Sequence, residues 1–192
     1  MVNVSVNSIV RSLVFCLAIC LASSGAASAA SSVSWSPADI GESQMIVFDG
    51  VSPAYQGGSV PVPGLHAQLV LTLDSISNNT WTFGYSLTNT SAAPITTSRV
   101  TVFGFDIPQG YAGVTSTGLF SDPGAGATQL VGNRDLCFRT INFGQCVGSY
   151  FGGVGKGHTA SGIFNLNYAS AQVGVMLDHL FVAYQGVSAP AL

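Results

Sequence analysis

The 192 residues are 47% hydrophobic but only 7% charged, with five Lys and Arg against eight Asp and Glu. An average domain is roughly a quarter charged, so this chain either sits in lipid or carries a neutral exterior. A formal charge of −3 argues against a phosphate-binding surface, and thus against nucleic acid as a partner. Aromatic and branched residues are plentiful enough to build a core, which argues against disorder.

The first charged residue is Arg11, and no other precedes Asp39. Between them lie an apolar run over 12–22, too short to span a membrane, and small residues ending in Ala27-Ser28-Ala29. A charged start, a short apolar stretch and a small-residue site spell a secretory signal peptide over 1–29, cut before Ala30. Leu17-Ala-Ile-Cys20 has the outline of a lipidation site, but Ile19 is too bulky for one. No second long apolar stretch follows, so no membrane span is expected after cleavage. The expected product, residues 30–192, is secreted or periplasmic and of a size for one domain. Cys16 and Cys20 leave with the signal. Cys137 and Cys146 remain as a pair in an oxidising compartment, which favours a disulfide over free thiols or a metal pair.

In the expected product, Met45-Ile-Val-Phe48 reads as a strand within a Ser/Gly/Pro-rich stretch. From His66, Ala67, Leu69, Leu71 and Leu73 alternate with Gln68, Val70, Thr72 and Asp74. After a Ser/Asn turn, Trp81, Phe83, Tyr85 and Leu87 alternate with Thr, Gly and Ser. This predicts an antiparallel hairpin with one wet face. Further strands are expected at 98–106, 136–143, 162–168 and 173–184. Turn-rich loops are expected at 91–94, 122–126 and 148–162. No stretch has a helical period with caps. The fold class is therefore all-β, a single antiparallel β-sandwich of jelly-roll type.

The running order of several segments resembles the cistern family of exported bacterial proteins, many of which carry a PEP-CTERM sorting tail. The likeness covers roughly 40–187. It rests on Gly41-Glu-Ser-Gln-Met-Ile-Val-Phe-Asp-Gly50, Trp81-Thr-Phe-Gly-Tyr-Ser-Leu-Thr-Asn-Thr90 and Ser98-Arg-Val-Thr-Val-Phe-Gly-Phe-Asp106. Leu136-Cys-Phe138, Cys146 and Leu177-Asp-His-Leu-Phe-Val-Ala-Tyr-Gln185 complete it. The resemblance implies an exported all-β protein of unknown molecular role and brings no catalytic residues. A typical member continues into a Pro-Glu-Pro motif, an apolar helix and basic residues. This chain stops at Ser188-Ala-Pro-Ala-Leu192, which favours a released or periplasmic product.

Chemical motifs are weak. Gly144-Gln-Cys-Val-Gly148 has the outline of a nucleophile elbow, but Ser149-Tyr-Phe-Gly-Gly153 cannot supply the helix that must follow. Gly152-Gly-Val-Gly-Lys-Gly157 lacks the Ser or Thr a phosphate loop needs after its Lys. His66, His158 and His179 are scattered. Asp178 and His179, as strand neighbours, are expected on opposite faces. No calcium-loop motif is present, so no cofactor is expected; a calcium site built by Asp106, Asp122 and Asp135 across loops stays open. No catalytic or metal residue is assigned. Asn78-Asn-Thr80 and Asn89-Thr-Ser91 are acceptor sequons in a glycosylating host. Trp35, Tyr55, Tyr111 and Tyr150 stand in loops, where aromatics either plug the sandwich ends or stack on sugars; Trp35, Tyr111 and Tyr150 are the candidate ligand contacts.

Two functions are weighed. The first is a non-enzymatic extracellular matrix, surface or carbohydrate-associated module that meets polysaccharide or copies of itself. The second is a secreted hydrolase of glycans or esters using Asp106, Asp122 or His158. Scarcity of acid and base groups favours the first.

Overall fold

The computed structural model describes residues 23–28, 32–53, 59–128, 130–141, 144–149 and 151–190. In chain order the strands are β1 (Ser23–Ser28), β2 (Val33–Trp35), β3 (Ser43–Pro53), β4 (Ser59–Ser77), β5 (Thr80–Thr88) and β6 (Thr97–Asp106). There follow β7 (Gly113–Ser116), β8 (Asp122–Thr128), β9 (Gly132–Arg139), β10 (Val154–Gly155), β11 (Thr159–Asn167) and β12 (Val175–Ser188). A short 3-10 turn at Pro37–Asp39 is capped by Ser36, whose backbone N and Oγ donate to Asp39 Oδ2. Those bonds hold the Asp39 carboxyl below its ordinary pKa. The all-β expectation holds.

Strand pairing runs β7-β11-β5-β4-β3-β1-β12-β6-β9-β8, and every pairing is antiparallel. The path folds over on itself to give two facing halves, β7-β11-β5-β4-β3 and β12-β6-β9-β8, with β1 joining them along one side. Ring contacts prove the facing. Phe164 on β11 lies 4.8 Å from Phe138 on β9 and 5.7 Å from Phe105 on β6, and Tyr85 on β5 lies 5.1 Å from Phe103 on β6. The alternation read in β4 and β5 is what builds this core. Leu65, Ala67, Leu69, Leu71 and Leu73 point inward with Trp81, Phe83, Tyr85 and Leu87, all buried.

The two outer surfaces differ. On β6, Val100 through Phe105 are all buried, so that stretch of the strand has no wet face. Its outward residue Val102 forms a second small core with Cys137, Cys146 and Phe181. The chain after β9 lies over this face, pinned by the Cys137–Cys146 disulfide. Glycine lets it come so close: a Cβ on Gly148 would sit 1.7 Å from Thr101 Oγ1. Gly153, at φ +91°, would put one 2.7 Å from the Val100 carbonyl oxygen. The opposite surface, over β3, β4, β5, β11 and β7, has no such cover among the described residues.

Several expectations are corrected. The stretch 122–126, expected as a loop, belongs to β8, where Pro123 and four glycine or alanine positions are tolerated because β8 ends the pairing path. The strand expected over 136–143 starts earlier and ends at Arg139. Apart from these corrections, the backbone of residues 23–28, within the stretch read as the signal segment, pairs as β1 between β3 and β12.

Candidate functional site

Titratable groups gather at one end of the sandwich, where β6 runs out at Asp106. Asp106 Oδ1 accepts the backbone N–H of Asp135 at 3.0 Å. Its Oδ2 stands 3.1 Å from His179 Nδ1 and 3.5 Å from Arg134 Nη1. Asp135 Oδ2 in turn accepts the Ile107 N–H at 2.9 Å. Contrary to expectation, the side chains of Asp178 and His179 do meet, at 3.3 Å. The cause is local. β12 breaks register with β6 between Asp178 and Phe181, and His179 takes φ +48°, so the two neighbours no longer alternate. Left-handed backbone is uncommon for a histidine, and the contacts of its ring with Asp106 and Asp178 help hold it.

This cluster ties three chain segments together. Asp106 and Asp135 come together as the sequence allowed, but Asp122 does not join them; it pairs with the buried Arg139 at 2.8 Å. His158 lies in the β10–β11 turn, its backbone N–H bonded to the Gly155 carbonyl. The three residues weighed for a hydrolase are thus held in separate pairings. Among the described residues, no group of three or more His, Cys, Asp or Glu is placed to hold a metal ion. Cys146 is in the disulfide and offers no thiolate where the elbow-like motif required one. Lys156, the lysine of the phosphate-loop-like stretch, donates its Nζ to the Ile95 carbonyl.

The three candidate aromatics part company. Trp35 is only 2% exposed and packs edge-on to Phe83 at 5.1 Å, so most of it belongs to the core, and it also lines an open cleft with Asp39, Gln109 and Met176. Tyr111 is half-buried beside a shallow cleft lined by Ile107, Pro108, Ala125, Arg134 and Asp135. Its hydroxyl donates to the Asp135 carbonyl at 3.0 Å. Burial and then the Asp135 charge push its phenol above the ordinary pKa. Tyr150 and Tyr55 lie outside the described residues.

The larger candidate is the open face of β3-β4-β5-β11-β7, which emerges only once strand register is known. Cross-strand pairing lines up its outward residues in rows. One row is Val47, Gln68, Thr88 and Thr159, and the next is Met45, Val70, Ser86 and Ser161. Then come Ser43, Thr72, Gly84 and Ile163, followed by Ser75, Thr82, Asn165 and Thr115. Standard strand spacings make these four rows a surface about 19 Å by about 20 Å. Its side chains are tied together. Thr82 Oγ1 donates to Asn165 Oδ1 at 2.8 Å, and Asn165 Nδ2 donates to Thr115 Oγ1 at 2.9 Å. Thr80 with Asn167, Thr88 with Thr159 and Ser43 with Thr72 repeat the pattern. Charge is sparse but not confined to the rim: Asp49 pairs with His66 at one corner at 2.9 Å, and the exposed Asp74 carboxylate stands over Gly84, within the array. Met45, Val47 and Ile163 are exposed within the array.

Another reading changes with the structure. Asn89, a sequon residue, is fully buried; its Nδ2 donates to the Ser98 and Val154 carbonyls and its Oδ1 accepts the Ser91 N–H. It is a structural clasp between the end of β5 and strands β6 and β10, closed to glycan attachment in the folded chain. No family model matches the chain, and neither a curated protein nor a solved structure matches it.

Proposed function

We propose that this chain is an exported, non-enzymatic β-sandwich module that associates with neutral extracellular polysaccharide through its open β3-β4-β5-β11-β7 face. One observation carries the reading: the uncovered sheet face of the described residues is a broad array of hydroxyls, amides and a few exposed apolar groups, with charge limited to Asp74 and the Asp49–His66 pair. Such a surface matches a sugar polymer, which offers hydroxyls and C–H patches but no charge. Because Thr82, Asn165 and Thr115 already hold one another, little side-chain freedom remains to be lost on contact. A flat face makes each contact weak. A polymer with many identical sites raises retention through repeated engagement. The family resemblance agrees with export and supplies no competing activity.

The test is co-sedimentation of the oxidised protein with insoluble neutral glucans and, separately, with an anionic polysaccharide, at low and high salt. The proposal expects retention on a neutral polymer that is insensitive to salt, since no ion pairs are involved. Retention only on the anionic polymer, released by salt, contradicts it. So does retention on none.

A further inference from the structure

Residues 23–28 combine two roles that exclude one another. In the sequence they belong to the small-residue region that ends a signal peptide. In the fold they are β1, the strand between β3 and β12. Gly25, Ala26, Ala27 and Ser28 pair in order with Tyr184, Ala183, Val182 and Phe181 of β12, and Ala26 pairs on its other side with Val51 of β3. Among the described residues, β1 is the link in the pairing path between the two halves along this side of the sandwich. Phe181, Val182 and Tyr184 are fully buried with β1 in place, and each already pairs with β6 on its other flank. A cut before Ala30 therefore removes a strand with neighbours on both sides and leaves two unsatisfied edges facing each other.

The same composition serves either role. A run of Ser, Gly and Ala suits a peptidase that accepts small side chains beside its cut. It equally suits a strand slotted beside bulky neighbours, and Gly25, without a side chain, stands opposite Tyr184. Sequence alone cannot separate the two, and the pairing favours the strand.

We propose that Ser23–Ser28 is retained in the exported, folded protein as a structural strand, so that leader removal falls N-terminal to Ser23 and not between Ala29 and Ala30. The proposal is independent of what the open face binds.

Two measurements test it. The full chain, expressed with its own leader in a bacterial host, is recovered from periplasm and medium, and its intact mass is taken with the disulfide preserved. An N-terminus at or before Ser23 is expected; a folded species beginning at Ala30 overturns the proposal. Separately, the full-length chain is compared with its Ala26→Pro variant by thermal unfolding. Proline in a strand paired on both sides removes a ladder hydrogen bond and cannot be accommodated. A Tm lower by about 5 °C or more is expected, from a cost of about 2 kcal/mol or more. An unchanged Tm overturns the structural role of β1 whatever the mass shows.

Discussion

Replacing Phe164 by Ala is expected to be among the most damaging single changes in the chain. Phe164 is fully buried on β11, with its ring 5.2 Å from Phe83 on its own half and 4.8 Å from Phe138 across the sandwich. Truncating a buried phenylalanine to alanine costs about 3–5 kcal/mol, combining lost apolar burial with a cavity the neighbours only partly fill. Collapse is hard here because Phe83, Phe105 and Phe138 belong to different strands, each held in register by its own ladder. For a chain of this length each kcal/mol moves Tm by about 2–4 °C, so the fall is about 6–20 °C. Ile163 is the control. It is the next residue along the same strand but faces outward, 44% exposed, so Ile163→Ala is expected to cost less than about 1 kcal/mol. Thermal and urea unfolding of both variants reads the difference. Equal losses, or a larger loss for Ile163→Ala, would refute the assignment of which face of β11 is buried.

Other outcomes follow from single features. Replacing both Cys137 and Cys146 by Ala opens a loop of sequence separation 9, which loop entropy values at about 2.5 kcal/mol. Urea titration of this variant is expected to show a lower midpoint, with residues 144–149 and 151–153 losing amide-exchange protection before the main core. Gly104→Ala places a Cβ 2.4 Å from the Leu136 carbonyl oxygen and 2.5 Å from the Phe181 ring. Both neighbours are fixed in adjacent strands, so a loss of about 1–3 kcal/mol is expected in chemical unfolding. Burial pushes the Tyr168 and Tyr184 phenols well above their ordinary value of 10.0. The folded state then keeps protons that the unfolded state releases, so this contribution to stability is intact below pH about 10 and is lost progressively above it. Phenolate absorbance is expected to show fewer than six tyrosines ionising until alkaline unfolding releases the rest.

How much of this was legible in the sequence depends on how much each feature relies on period. Leu69, Leu71 and Leu73 against Trp81, Phe83 and Tyr85 declare the β4–β5 hairpin because side chains in a half-buried strand must alternate. β6 is also visible, but as a run buried on both faces it gives no hint that a disulfide-pinned segment covers its outer side. β2, β7 and β10 have at most four residues each, too few for a pattern. β8 is concealed by Pro123 and Gly124, which read as a turn until its edge position is known. The candidate site was the least legible part. The open face depends on register, which sets Thr82 beside Asn165 and Ser86 beside Ser161 over separations of more than 70 residues. The Asp106–His179 contact depends on one left-handed backbone position, and nothing in Asp178-His179 announces it.

The most direct test of the binding face is a pair of lysine variants assayed on the neutral polysaccharide that retains the parent chain. Val47→Lys with Ser161→Lys puts two solvated charges on opposite sides of the array, where both parent residues are exposed. Ser170→Lys with Ala171→Lys puts the same two charges on the exposed connection between β11 and β12. The account predicts that the first variant is released while the second is retained like the parent, with all three proteins unfolding within a few degrees of one another. Equal retention of the two variants would contradict it.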